Sequence, residues 1–263
     1  MRFTLLASGS TGNATLIETA RTAVLIDAGL SARALVRRMT DLGFDPARLA
    51  ALFITHEHTD HVGGLSVLSR QLALPVFIAP PARRQLRFKD RDMSTIPWAD
   101  PLTAGQPVVI GDLTLTPVAV PHDAAEPFIF TATAAGIKLA VVTDLGYIPA
   151  HVAHHLTGCQ ALVLEANHDR DMLRAGPYPW ELKQRISSRV GHLSNEDMAR
   201  FLREDFDGAA AHIVLAHLSQ HNNHPALARL AALQALDAHY PHRAWETVVT
   251  VAPAAGLPHW CPL

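Results

Sequence analysis

The sequence of 263 residues contains three lysines, Lys89, Lys138 and Lys183, and two cysteines, Cys159 and Cys261. Two cysteines so far apart make no disulfide framework and lack the paired spacing of a zinc thiolate site, so a reducing, cytoplasmic setting is expected. No apolar run approaches the roughly 18 residues that span a membrane. The short run at residues 3–7 stops at Gly9 and is not expected to act as a secretory signal. The 22 Lys and Arg nearly balance the 24 Asp and Glu, for a formal charge of −2. No whole-molecule field therefore draws the chain to nucleic acid or anionic lipid, and any polyanion must be held by a local patch. With 49% apolar against 17% charged residues, the chain has the means to bury a sizeable core, which excludes disorder. Its length fits one large α/β domain over residues 1–263.

What the sequence does have is 16 histidines. Strand-like runs closed by turns occupy 3–7, 15–18, 24–27 and 52–54. Ser31 is placed to cap a helix through Leu35, Val36 and Met39 that Gly43 stops, and a second helix is predicted over 62–72. Further strands are expected at 108–110, 113–120, 128–133 and 139–142. Strands at 161–165, 212–216 and 247–251 then alternate with helices at 196–203 and 225–238. Antiparallel runs followed by β/α alternation predict a layered sandwich with helices outside two sheets. Residues 79–101, rich in proline and arginine, read as an insertion or lid.

The chemistry concentrates after the strand at 52–54, in Thr55-His56-Glu57-His58-Thr59-Asp60-His61. In an extended turn His56 and His58 point the same way, while Asp60 and His61 swing toward a neighbouring point as a helix begins. One segment can thus serve two metals. Burying three imidazoles and a carboxylate together without a cation would leave polar groups poorly satisfied. Further donors end apolar runs: His122 and Asp123 after 113–120, Asp144 after 139–142, and His217 after 212–216. A carboxylate has two oxygens to bridge two cations, which suits Asp144. His192, His212, His221 and His224 compete with His217 as the last ligand.

The pattern His56-x-His58-x-Asp60-His61, followed by His122, Asp144 and His217, resembles the metallo-β-lactamase superfamily. The segments 8–13, 25–29, 143–146, 164–169, 191–195 and 215–219 resemble its YycJ/WalJ branch. The resemblance implies an α/β fold, the four-layer αβ/βα sandwich, with two divalent ions per chain. His56, His58 and His122 would hold one, Asp60, His61 and His217 the other, with Asp144 between. It also implies hydrolysis of phosphodiester bonds, in DNA and exonucleolytically, by water activated between the metals. His192 would protonate the leaving oxygen, so His192 and the anchoring Asp60 are the candidate catalytic residues. Ligation without thiolate suits Zn²⁺ or Mn²⁺, with iron admissible.

Other assignments are lighter. Gly9 and Gly12 in residues 8–13 read equally as a phosphate cradle and as a tight turn, with Asn13 a candidate substrate contact. His168 and Asp169 are further candidate substrate contacts. Asp27 suits a carboxylate that orients a metal-bound histidine, and Glu57 should project away from its flanking histidines. His192 also fits the start of a helix capped by Ser194 or Asn195. The basic stretch Arg83, Arg84, Arg87, Lys89 and Arg91 is the best local groove for DNA, and Tyr178 and Trp180 read first as core and second as base-stacking residues. His151, His154, His155, His239, His242 and His259 read as surface residues. Fold and ligands alone leave open a small ester, thioester or lactone hydrolase, or a metal-stabilised nucleic-acid-binding protein without turnover. Oligomeric state is not legible.

Overall fold

The structure is a computed structural model that describes residues 1–86, 93–239 and 245–263. Arg87, Lys89, Arg91 and His242 lie outside the described residues. The first sheet begins with β1 (Arg2–Ala7), β2 (Ala14–Glu18), β3 (Ala23–Ile26), β4 (Leu49–Phe53) and β5 (Val76–Phe77). The second comprises β6 (Val108–Ile110), β7 (Leu113–Ala119), β8 (Phe128–Ala134), β9 (Ile137–Val142), β10 (Ala161–Glu165), β11 (His212–Ala216) and β12 (Val248–Val251). A last strand, β13 (Cys261–Pro262), returns to pair antiparallel with β1 at the edge of the first sheet.

Pairing is antiparallel from β6 to β9 and parallel from β9 to β12. The first sheet changes over in the same way, with β1 to β3 antiparallel and β3 to β5 parallel. Strand residues alternate between two cores, as the two-residue repeat requires. In β9 to β11, Leu139, Val141, Ala161, Val163, Val214 and Ala216 face the core between the sheets. Their neighbours Ala140, Val142, Leu162, Leu164, Ile213 and Leu215 join an outer core. Buried on both faces, these strands read as continuous apolar runs. Phe53 joins the sheets, stacking on Phe77 at 4.7 Å and meeting Phe130 edge-on at 5.6 Å.

Helices cover both outer faces. On the first sheet, α1 (Ala32–Asp41) buries Ala32, Leu35 and Met39, and Ser31 Oγ accepts from the Ala34 N–H at 3.3 Å. The helix predicted over 62–72 is instead two, α2 (Thr59–Val62) and α3 (Leu65–Gln71). They part at Gly63 and Gly64, where the chain passes so close to its neighbour that a Cβ on Gly64 would come within 2.1 Å of Leu30 O. Of residues 79–101, the structure describes 79–86 and 93–101, and these pack against the first sheet. They contain α4 (Pro80–Gln85), bury Ala82, Leu86 and Ile96 in the central core, and bridge Val76 to Trp98. On the second sheet, α5 (Ala150–Leu156) was not foreseen. It packs on the outer core near β7, and α8 (Asn195–Glu204) and α9 (Pro225–His239) pack on one another over the same core. Two short helices, α6 (Arg170–Ala175) and α7 (Trp180–Ile186), lie between β10 and α8.

Candidate metal centre and substrate cleft

The donors gather just past the ends of strands in both sheets. Beyond β4, His56 and His58 turn to one side, with His56 Nε2 and His58 Nδ1 3.0 Å apart. His122, just past β7, donates Nδ1–H to Gly191 O at 2.9 Å, and its Nε2 lies 3.4 Å from His58 Nδ1. On α2, His61 donates Nδ1–H to Asp27 Oδ2 at 2.7 Å, which turns Nε2 toward Asp60 Oδ2 at 3.4 Å and Asp144 Oδ2 at 3.2 Å. His217 has Nδ1 2.9 Å from Glu165 Oε1 and Nε2 3.6 Å from Asp60 Oδ2. The donors of His56, His58 and His122 lie within 4.8 Å of one another, as do those of Asp60, His61 and His217. Asp144 adjoins both groups, and with His56 and His61 it forms another such set.

Asp27, Asp144 and His217 each follow a strand with φ of 62°, 62° and 57°. This left-handed backbone costs energy for any residue but glycine and concentrates at functional sites. Here it bends the chain sharply as it leaves β3, β9 and β11.

The residues fit divalent cations. Imidazole nitrogens meet nitrogen to nitrogen, and Asp144 Oδ2 and His217 Nε2 are buried with no hydrogen-bond partner among the described residues. Such orphaned atoms are costly unless a ligand satisfies them. Burial opposes charge on Asp144 and Asp60, yet His217 and His61 hold both carboxyls well below their usual range. Against the same burial, Asp27 and Asp144 push His61 well above its ordinary value, and Asp144, Asp60 and Glu165 do so for His217. His56 and His122 are driven down, chiefly by burial. Protons on His61 and His217 therefore compete with any cation, and binding one releases them.

Of these groups, His58, Asp60, Asp144 and His217 line a cleft of about 370 Å³, together with His192. His192 and His217 both place Nδ1 2.9 Å from Glu165 Oε1. The other oxygen, Oε2, accepts from the Leu145 N–H at 3.1 Å and the Leu193 N–H at 3.3 Å. Burial resists ionisation of Glu165, but the charge and hydrogen bond of His192 and the bond from His217 bring its pKa down to about 2. A charged acceptor fixes both Nδ1 atoms as donors and leaves both Nε2 atoms for other work. Glu165 was read only as part of a strand-end segment, and its adjacency to β10 was the available signal. Asp144, Glu165, His192 and His217 also form a possible ligand set. Both rings line the cleft, and of the two it is His217 whose Nε2 is buried without a hydrogen-bond partner among the described residues, 3.6 Å from Asp60 Oδ2.

The expected substrate contacts are placed differently. Asn13 does not line the cleft; its amide meets Asp60 Oδ2 at 3.1 Å and His61 Nε2 at 3.0 Å, and its oxygen accepts from the Gly9 N–H at 2.9 Å. His168 is 1% exposed, and burial first of all lowers its pKa to about 4, so it is a neutral interior residue. Asp169 caps α6, accepting from the Met172 N–H at 2.8 Å. Their neighbour Asn167 lines the cleft instead, with Ser10 and Ser219. Asp27 supports His61, as its position suggested. Glu57 turns away and accepts from the Ala125 N–H at 2.9 Å. Arg83 lies over the Trp98 ring and, like Arg84, is exposed outside the cleft lining. The core reading of Trp180 fails, since its side chain is 65% exposed, and Tyr178 lines the cleft.

Two β-sheets backed by helices, with a histidine and aspartate cluster at their strand ends, define the metal-binding hydrolase class to which β-lactamase-type folds belong. The β-lactamase superfamily domain matches residues 22–218. The exodeoxyribonuclease YycJ of Bacillus anthracis is 37% identical over 239 residues, covering 90% of this chain and 89% of that protein. The exodeoxyribonuclease WalJ of Streptococcus pneumoniae is 33% identical over 241 residues, covering 89% and 88%. The metallo-β-lactamase fold protein YhfI from Bacillus subtilis has the same fold, with a TM-score of 0.71 at 18% identity over 96% of this chain and 97% of that one. The chain belongs to the metallo-β-lactamase superfamily, in its YycJ/WalJ-like branch.

Proposed function

We propose that this chain is a metal-dependent exodeoxyribonuclease. The observation that carries the reading is the double donor cluster, with Asp144 Oδ2 and His217 Nε2 buried and orphaned, on the floor of an open cleft. The two relatives that share about a third of its residues over nearly the full length are exodeoxyribonucleases by name. In this reading His56, His58 and His122 hold one divalent ion, Asp60, His61 and His217 hold a second, and Asp144 serves both. Zinc or manganese suits such nitrogen and oxygen ligation. Ions bound there supply Lewis acidity toward a phosphoryl group and activate water.

The chain's own residues do the rest. Asp27 and Glu165 fix which nitrogen of His61 and His217 faces the cleft, and Asn13 steadies Asp60. His192, with Nδ1–H on Glu165, keeps Nε2 for the cleft and delivers a proton to the departing oxygen. Ser10, Asn167 and Ser219 offer neutral polar contacts on the rim. A core shared by both sheets supports one domain over 1–263. Among the described residues no helix is long and apolar enough to cross a membrane, and the free cysteines Cys159 and Cys261 suit the reducing cytoplasm. The test is metal-reconstituted protein on end-labelled single- and double-stranded DNA. Mononucleotides from the first time points support the reading, internal fragments would replace it with an endonuclease, and intact DNA would reject it.

A further inference from the structure

The segment from Tyr178 to Val190 is built unlike its surroundings. Its helix, α7, buries no residue. Of the large apolar side chains most exposed among the described residues, Trp180 at 65% and Val190 at 45% both lie here. Leu182, Lys183 and Ile186 are half-buried, whereas the Trp180 indole stands open on the same helix, next to the cleft that Leu182 and Ile186 line. The segment also bounds the cleft, through Tyr178, Leu182, Arg185 and Ile186. Its far end is anchored to the site, because Gly191 O accepts from His122 Nδ1 and the His192 N–H donates to Ile186 O at 2.9 Å. Between residues 174 and 190 lie four cations, Arg174, Lys183, Arg185 and Arg189, and one acidic residue, Glu181; Arg174 pairs with Asp171 and Arg185 with Asp123. Neither Lys183 nor Arg189 pairs with a carboxylate among the described residues; Lys183 Nζ donates to Arg174 O at 2.7 Å and Arg189 lies 4.1 Å over the Tyr147 ring.

We propose that this segment grips the unpaired end of a DNA strand, with Trp180 and Tyr178 stacking on successive bases and the cations following its phosphates into the cleft. Base–aromatic stacking is indifferent to sequence because every base offers a π face, and flanking cations supply the rest of the hold. An aromatic platform beside the cleft suits a strand that arrives unpaired; a duplex keeps its bases stacked inside. The occupant rests on the nuclease reading above, whereas the platform rests on exposure, charge and continuity with the cleft.

The test uses full-length, metal-loaded protein. Trp180→Ala should raise KM for a single-stranded oligonucleotide roughly 5- to 100-fold, the span of one base–aromatic stack, with kcat changed much less. Trp180→Phe should recover most of the affinity, which a merely structural defect would not allow. A phosphorothioate oligothymidylate that resists hydrolysis should quench indole fluorescence in the wild type and much less in Trp180→Phe. DNA cleavage with KM within twofold in Trp180→Ala would overturn the platform and leave the nuclease reading standing. Quenching at Trp180 in a protein that cleaves no DNA would do the reverse. A Trp180 signal that follows protein concentration instead of oligonucleotide would assign the face to a second copy of the chain and overturn the proposal.

Discussion

Glu165 is the residue on which both late histidines depend, since one of its oxygens meets His192 and His217 and the other is held by two backbone N–H groups. Glu165→Gln preserves shape but removes the charge that orders those rings. Metal affinity or kcat should fall about 10- to 100-fold, the usual cost of losing such an orienting partner, read by chelator competition and by turnover. Unchanged values in both would remove Glu165 from the mechanism. The two histidines should then fail differently: His217→Ala loses metal and activity together, whereas His192→Ala keeps its metal and slows natural phosphodiesters about 10²- to 10⁴-fold. A nitrophenyl diester, whose leaving group needs no proton, should be spared most of the His192→Ala defect. Equal defects on both substrates would make His192 a positioning residue. The cluster from His56 to His61 was legible because its donors are neighbours in sequence. Glu165 was not, because its partners sit 27 and 52 positions away, and nothing local reveals that the Asn13 amide meets Asp60 and His61.

At the scale of elements, the strands of the second sheet and the helices α1, α8 and α9 were readable from apolar runs, caps and glycine stops. Helix α7 offers only a short apolar pair, Leu182 and Ile186, and neither is fully buried, so its seven residues give little periodicity to read. The break between α2 and α3 falls at Gly63 and Gly64, and the close approach that requires glycine at 64 comes from a distant backbone atom, Leu30 O. The same crowding ties α2 to the loop after β3, where a Cβ on Gly29 would lie 1.7 Å from Asp60 O and 2.5 Å from Asn13 N. Those two atoms belong to residues joined by a 2.7 Å backbone hydrogen bond, Asn13 N–H to Asp60 O. Gly29→Ala must therefore displace the start of α2. It should lower the melting temperature by several degrees and deplete the Asp60, His61 and His217 site, while His56, His58 and His122 keep their ion. Wild-type melting and full metal content in Gly29→Ala would show that the loop yields without disturbing Asp60.

For the whole molecule, the layered sandwich followed from strands buried on both faces, but the pH response depends on charges that only the fold brings together. His168 is protonated near pH 6.5 when unfolded, and its folded pKa is about 4. Between these values the unfolded chain binds the extra proton, so stability is full above pH 6.5 and falls as pH drops toward 4, by about 3 kcal/mol at most from this residue. His56 and His122, also driven down by burial, add to the same acid limb. His61 and His217 act oppositely. Their folded pKa values are raised, so in chelator-treated protein their contribution is full below pH 6.5 and is lost as pH rises through the folded values. Metal-free protein should thus be most stable near pH 6.5. Added metal, which needs those imidazoles deprotonated, should reverse the alkaline decline. Urea midpoints from pH 5 to 9, with and without chelator, would trace both limbs, and His168→Leu should flatten the acid one without moving the alkaline one. An acid limb unchanged in His168→Leu would show that His168 is not held neutral by burial, and a loaded protein that still weakens above pH 7 would remove His61 and His217 from the metal site.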